Sequence, residues 1–251
     1  MSIFGRFLAK RRGEGEALVN TREIARYYEG MTGGNDYLNR YFGALEATGS
    51  TDNFLKQNRF FSLYQAVGHV LKKGLPGDIA ECGCWKGHST YLMAGLLKEA
   101  DWTGTLRVFD SFEGGLSDKT TEDRRLRGNT DPAETERQKQ KFASDFGAVQ
   151  QVLAPYPFVA LHKGWIPEVF DGALPSDARF SLVHLDVDLY QPTLDSLRFF
   201  YPRMVKGGLI VLDDYGSTTF PGSRIATDEF LGSVTPTLFL EGHLQSAVLL
   251  V

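Results

Sequence analysis

SLVHLDVDLY at residues 181–190 and GGLIVLDDY at residues 207–215 decide the fold. Each is an apolar, β-branched run that ends in paired acids, Asp186 and Asp188 in the first, Asp213 and Asp214 in the second. An aspartate that closes a buried strand lies at the carboxyl edge of the sheet, where ligands bind in open α/β folds. Three or four carboxylates converging there repel one another unless a cation neutralises them. All-oxygen ligation suits Mg²⁺ or Ca²⁺ rather than zinc. The two segments therefore predict a divalent-metal site in a doubly wound α/β fold, and with it an enzyme.

Working outward, strands and helices alternate. Strands are expected at residues 78–81, 106–110, 158–162, 182–186 and 208–213, and helices at 89–100, 130–146, 191–200 and 223–231, with a short one from 167. The tail TPTLFLEGHLQSAVLLV reads as two short strands around Glu241 and Gly242, a hairpin that adds an antiparallel pair. Such alternation predicts a parallel sheet with right-handed crossovers. Residues 111–128 are polar and glycine-rich, and read as a mobile loop able to close over ligands. Residues 1–75 read as a mostly helical extension, with a polar helix near 14–30 and an apolar-faced helix over 54–73 stopped by Gly74 and Pro76.

The chain has 251 residues, 42% hydrophobic and 23% charged, as expected of one large globular domain with an extension. A net charge of −4 with no dense Lys/Arg stripe argues against nucleic acid as a partner. No run of eighteen apolar residues occurs, so no membrane span is expected. Cys82 and Cys84 stand too close in sequence to favour a disulfide, and the short apolar start precedes its basic residues, the wrong order for a secretory signal. A cytoplasmic protein is the expectation.

After the first strand comes ECGCWKGHST, residues 81–90, opening a helix. Gly83 and Gly87 let the backbone approach a ligand closely. The spacing is neither G-x-G-x-x-G nor a triphosphate loop, which argues against a nicotinamide oxidoreductase. Glu81 ahead of the loop would repel a phosphate and suits a cationic ligand such as a sulfonium. Asp110 at the second strand end is placed to accept from ribose hydroxyls. Glu81, Gly83, Gly87 and Asp110 together fit S-adenosylmethionine.

On IAECGCWKGHST, FDSFEGG, HKGWIPEVF, LVHLDVDLYQPTLDSL and YPRMVKGGLIVLDDYG, over roughly residues 77–230, the chain resembles the macrocin-type O-methyltransferases. The resemblance implies a class I methyltransferase sheet of seven strands with the last pair antiparallel. It implies Mg²⁺ on Asp186, Asp213 and Asp214, with Asp188 as general base. It further implies a glycosylated small-molecule acceptor carrying a deoxysugar and at least a homodimer. The aromatic-rich residues 27–41 read as packing, a dimer contact or a cover of the acceptor, so 1–75 is taken as dimer contact or cover and 76–251 as the methyltransferase domain. Trp85, Ser89, Ser111 and Trp165 join the cofactor-binding set, although both tryptophans suit core packing as well. Tyr190, Tyr215 and His162 are candidates to contact the acceptor. Competing readings are a cap of the following helix for Asp188, a pair with Lys86 for Glu81, and a supporting core residue for His184. At the level of function, a catechol-like phenol methyltransferase and a non-catalytic cofactor-binding protein are the alternatives.

Overall fold

The computed structural model describes residues 36–125, 130–242 and 244–251; the expected helix at 14–30 lies outside them. Two helices come first, α1 (Asp36–Thr48) and α2 (Phe54–Lys73). The extension thus has a helix ahead of the one expected over 54–73. Asn53 caps α2 by accepting from the Lys56 N–H at 2.8 Å, and Gly74 ends it in the left-handed conformation that glycine adopts without strain.

From Asp78 the expected alternation follows: β1 (Asp78–Cys82), α3 (His88–Glu99), β2 (Leu106–Asp110), α4 (Pro132–Phe142), α5 (Phe146–Leu153), β3 (Val159–Lys163), β4 (Phe180–Leu185), α6 (Tyr190–Phe200), β5 (Met204–Leu212), α7 (Pro221–Leu231), β6 (Leu238–Glu241) and β7 (Ala247–Leu250). The helix expected over 130–146 is two helices. Asp145 starts the second by accepting from the Ala148 N–H, a cap signal inside what periodicity alone runs together. The seven strands form one sheet in the order β3-β2-β1-β4-β5-β7-β6, parallel except for the last two pairings, β5 with β7 and β7 with β6.

Alternation along the strands sorts side chains between two cores. Ile79, Leu182, Leu209 and Val211 face α2 and α3, where Leu63, Val67, Val70, Met93 and Leu97 cover them. Ala80, Val183, Ile210 and Leu212 face the opposite way, against Leu197 and Phe200 of α6 and Phe230 of α7. Glu81, His184 and Asp213 stand two residues beyond Ile79, Leu182 and Val211. They therefore fall on the α2 side, with Glu81 directly opposite His184 in the strand register. A smaller cluster of Tyr37, Leu38, Tyr41 and Ala44 with Phe60, Phe61 and Leu92 fastens α1 to α2 and α3. No helix among the described residues is long and apolar enough to cross a membrane.

Candidate active site

The strand order reverses between β1 and β4, and a cleft opens at their carboxyl ends, the crevice that such a switch point creates. Its volume is about 600 Å³, a size suited to small molecules.

One wall is the loop after β1. Gly83 has φ +83°, and a Cβ there would lie 1.9 Å from the Asp186 carbonyl oxygen, so the loops after β1 and β4 meet backbone to backbone. Asp110 secures this loop: Oδ2 accepts from the Cys84 and Trp85 N–H groups at 2.8 and 3.0 Å, and Oδ1 from the Phe112 N–H at 2.9 Å. Gly83, Trp85, Asp110, Ser111 and Trp165 line the cleft. Gly87 and Ser89 do not. Gly87 begins α3 facing Val149 and Leu153, and Ser89 is buried.

Glu81 is turned inward, a correction to its reading as a ligand group for the sulfonium. It is fully buried; Oε2 accepts from Thr90 Oγ1, and Oε1 lies 3.0 Å from His184 Nδ1. Lys86 does not pair with it and donates instead to the Gly49 carbonyl. Burial opposes a charge on His184, but its contacts with Asp213 and Glu81 outweigh this and push it up to about 10.

The loops after β4 and β5, the first of them packed against the loop after β1, carry the acids. Carboxylate oxygens of Asp186, Asp188 and Asp214 lie within 4.8 Å of one another, and a second group of the same tightness joins Asp186 to His184 and Asp213. All of these acids but Asp213 line the cleft. Burial, reinforced by the charges of Asp213 and Asp214, raises the Asp186 carboxyl well above the usual range; burial and then Asp188 do the same to Asp214. Burial followed by Asp186 pushes Asp188 up to about 8. Burial also works against the charge on Asp213, but Arg59 and His184 prevail and hold it low. Asp188 has φ +58°, a strained conformation for a non-glycine residue. It does not cap α6; the first N–H of that helix, at Tyr190, donates to Asp123 Oδ1 at 2.8 Å. Within the described part of the stretch expected to be mobile, residues 111–125, Asp123 thus bonds to the start of α6 and also accepts from the N–H and hydroxyl of Thr120.

The residues present fit a divalent cation. Asp214 Oδ2 is buried and accepts no well-formed hydrogen bond among the described residues, a costly state for a carboxylate unless a cation stands nearby. Five carboxyl groups (Glu81, Asp186, Asp188, Asp213, Asp214) stand against three protein cations (Lys56, Arg59, His184). Fully ionised, the set leaves two negative charges, which one divalent ion balances. The expected triad of Asp186, Asp213 and Asp214 is divided between the two groups, with Asp186 common to both.

Lys56 and Arg59 are site residues that sequence reading missed, since α2 was read only for its apolar face. They stand one turn apart and both line the cleft. Burial lowers Lys56 to about 8. Gln138, Lys141 and Phe142 of α4 and Phe220 also contribute, with no motif to announce them. The three acceptor candidates lie elsewhere. Tyr190 donates its hydroxyl to Glu229, Tyr215 donates to Asp228 Oδ1 at 2.7 Å, and the His162 ring stacks on Phe109 at 4.7 Å. None of them lines the cleft.

Residues 47–234 match the sequence profile of a family described as Macrocin-O-methyltransferase (TylF). An 8-demethyl-8-(2,3-dimethoxy-alpha-L-rhamnosyl)-tetracenomycin-C 4'-O-methyltransferase of Streptomyces olivaceus is 32% identical over 164 residues, 62% of this chain and 60% of that protein. The mycinamicin III 3''-O-methyltransferase of Micromonospora griseorubida is 29% identical over 181 residues, 68% of this chain and 67% of that one. The chain thus spans about three fifths to two thirds of the length of these curated relatives. Among solved structures, the O-methyltransferase NovP superposes with a TM-score of 0.64 at 26% identity, over 77% of this chain and 79% of that one.

Proposed function

This chain belongs to the macrocin O-methyltransferase family, and from that premise we propose that it moves a methyl group from S-adenosylmethionine to a sugar hydroxyl of a glycosylated small molecule, with Mg²⁺ at the Asp186 cluster. The observation that carries the reading is the cluster itself: Asp186, Asp188 and Asp214 gathered in the cleft that the glycine loop also lines. Bound together, S-adenosylmethionine supplies the methyl group, and the divalent cation lowers the pKa of the acceptor hydroxyl it touches.

The protein's own contribution is position and proton handling. Asp110 presents two carboxylate oxygens with about four acceptor positions. Three are filled by loop N–H groups, so Oδ1 has one left for a ribose hydroxyl. Trp85 and Trp165 offer flat apolar surface beside it. Asp186 and Asp214 would hold the cation, with Asp213 behind them. Asp188, aimed into the cleft by its left-handed backbone, takes the hydroxyl proton. Leu116, Phe142 and Phe220 pack together and give the cleft an apolar lining. Transfer between two ligands held in line needs orientation more than covalent help.

Calorimetric titration with S-adenosylhomocysteine, in Mg²⁺ and after EDTA, tests the cofactor half. Binding is expected in both conditions, and its absence removes methyl transfer. Turnover on glycosylated acceptors tests the metal half. It is expected to stop in EDTA and to fall roughly a thousandfold in Asp186→Asn, while affinity for S-adenosylhomocysteine stays within about threefold. Full turnover in EDTA removes the metal from the mechanism.

A further inference from the structure

Resting on the metal reading above, we infer that Arg59 is the protein's own counter-cation at this centre and sets how tightly the metal is held. The guanidinium reaches the acids from α2. Nε lies 2.7 Å from Asp213 Oδ2, a close ion pair without hydrogen-bond alignment, and Nη1 lies 3.5 Å from Asp214 Oδ1. Nη1 also donates to Gln245 Oε1 at 2.7 Å, which ties the group to the β6–β7 hairpin. The Arg59 side chain is 18% exposed, and those of Asp213 and Asp214 1% and 5%. Arginine is charged at every relevant pH, and this one feels all four aspartates.

Two consequences of opposite sign follow. Without a metal, a buried group of carboxylates is unstable, and a fixed cation against Asp213 and Asp214 keeps the region folded. With a metal held by Asp186 and Asp214, the same charge would repel it through a poorly screened medium. Arg59 also stands against Asp213 Oδ2, on the one aspartate that groups with Asp186 and His184 and not with Asp188 and Asp214. Arg59 thus stabilises the metal-free protein at the expense of metal affinity. A residue of purely structural importance would do the reverse, its loss loosening the centre and weakening metal binding.

The test is Mn²⁺ binding, read as the free-ion electron paramagnetic resonance signal, in wild type, Arg59→Gln and Arg59→Lys at one pH. S-adenosylhomocysteine binding serves as the check on folding. Arg59→Gln is expected to bind Mn²⁺ at least tenfold more tightly, to melt lower than wild type in EDTA and to gain more from added Mn²⁺. Arg59→Lys keeps the charge and is expected to stay within threefold of wild type. Binding by Arg59→Gln that equals or falls below wild type overturns the inference and leaves the metal centre intact. If Arg59→Gln does not fold, a tenfold change in Arg59→Lys overturns it instead. If neither wild type nor any variant binds Mn²⁺, the metal reading fails, and this role of Arg59 with it.

Discussion

At the residue scale, the same side-chain types serve different ends according to what faces them. Asp110 and Asp188 both close strand-end motifs, yet Asp110 is hydrogen-bonded to three backbone N–H groups while Asp188 is buried beside other acids. Asp110→Ala is therefore expected to loosen the glycine loop and to weaken S-adenosylhomocysteine binding by about tenfold or more, since a charge-assisted hydrogen-bond set contributes on the order of 1.5–3 kcal/mol. Calorimetry measures it. His88 gives a pH prediction. Its ring packs between Tyr41 and Phe60, with Nε2 3.0 Å from the Tyr41 carbonyl. Burial, helped by Lys56, lowers it from 6.5 to about 3. The unfolded chain therefore binds the extra proton between those values. The stability His88 confers is complete above about pH 6.5 and is lost as pH falls towards 3. His88→Gln is expected to flatten denaturation midpoints over that window, and an unchanged acid slope would show that other groups control it.

At the element scale, α2 is at once core and site. Its apolar face was readable from spacing alone, and that reading stands: Leu63, Val67 and Val70 cover the sheet. What spacing does not reveal is that Arg59, an ordinary polar position by pattern, pairs with Asp213 far along the chain, and that Lys56, bonded to Ser50 and Thr51, feels the charge of Asp186. The loop before α4 behaves similarly. It is rich in glycine and polar residues, which suggests motion, but Asp123 fastens it to the start of α6. Asp123→Ala removes that cap and is expected to cost about 1–2 kcal/mol and to expose the loop to limited proteolysis. The β1–α3 loop tolerates less. Gly83→Ala would put a Cβ against the Asp186 carbonyl in a positive-φ conformation. The expected loss is about 3 kcal/mol, seen as a lower denaturation midpoint.

At the scale of the whole molecule, the sheet's two faces have separate cores, and one of them depends on residues that precede β1. A fragment of residues 76–251 is expected to lose cooperative unfolding, because Leu63, Ala66, Val67 and Val70 no longer cover Ile79, Leu182 and Val211. Calorimetry of the fragment against the full chain decides this. Under the proposed function, Mg²⁺ binds the native state alone and stabilises it by mass action. At a hundred times its Kd the gain is about 2.7 kcal/mol, or roughly 5–10 °C in Tm for a chain of this size. EDTA should reverse it.

The amino-acid sequence by itself determined the alternation of strands and helices, the antiparallel tail pair and the four aspartates at the sheet's carboxyl edge. These follow from local periodicity and from turn residues, which act over a few positions. Tertiary structure alone decided which acids meet. Glu81 faces His184 because β1 and β4 pair in that register, so a residue read as a ligand group is spent inside the sheet. Asp213 turns to Arg59 because α2 packs across the same face. Tyr190 and Tyr215 follow the acidic motifs in sequence but bond to α7. Periodicity tells a residue which side of its element it occupies; its partner there is set by packing between segments far apart in the chain.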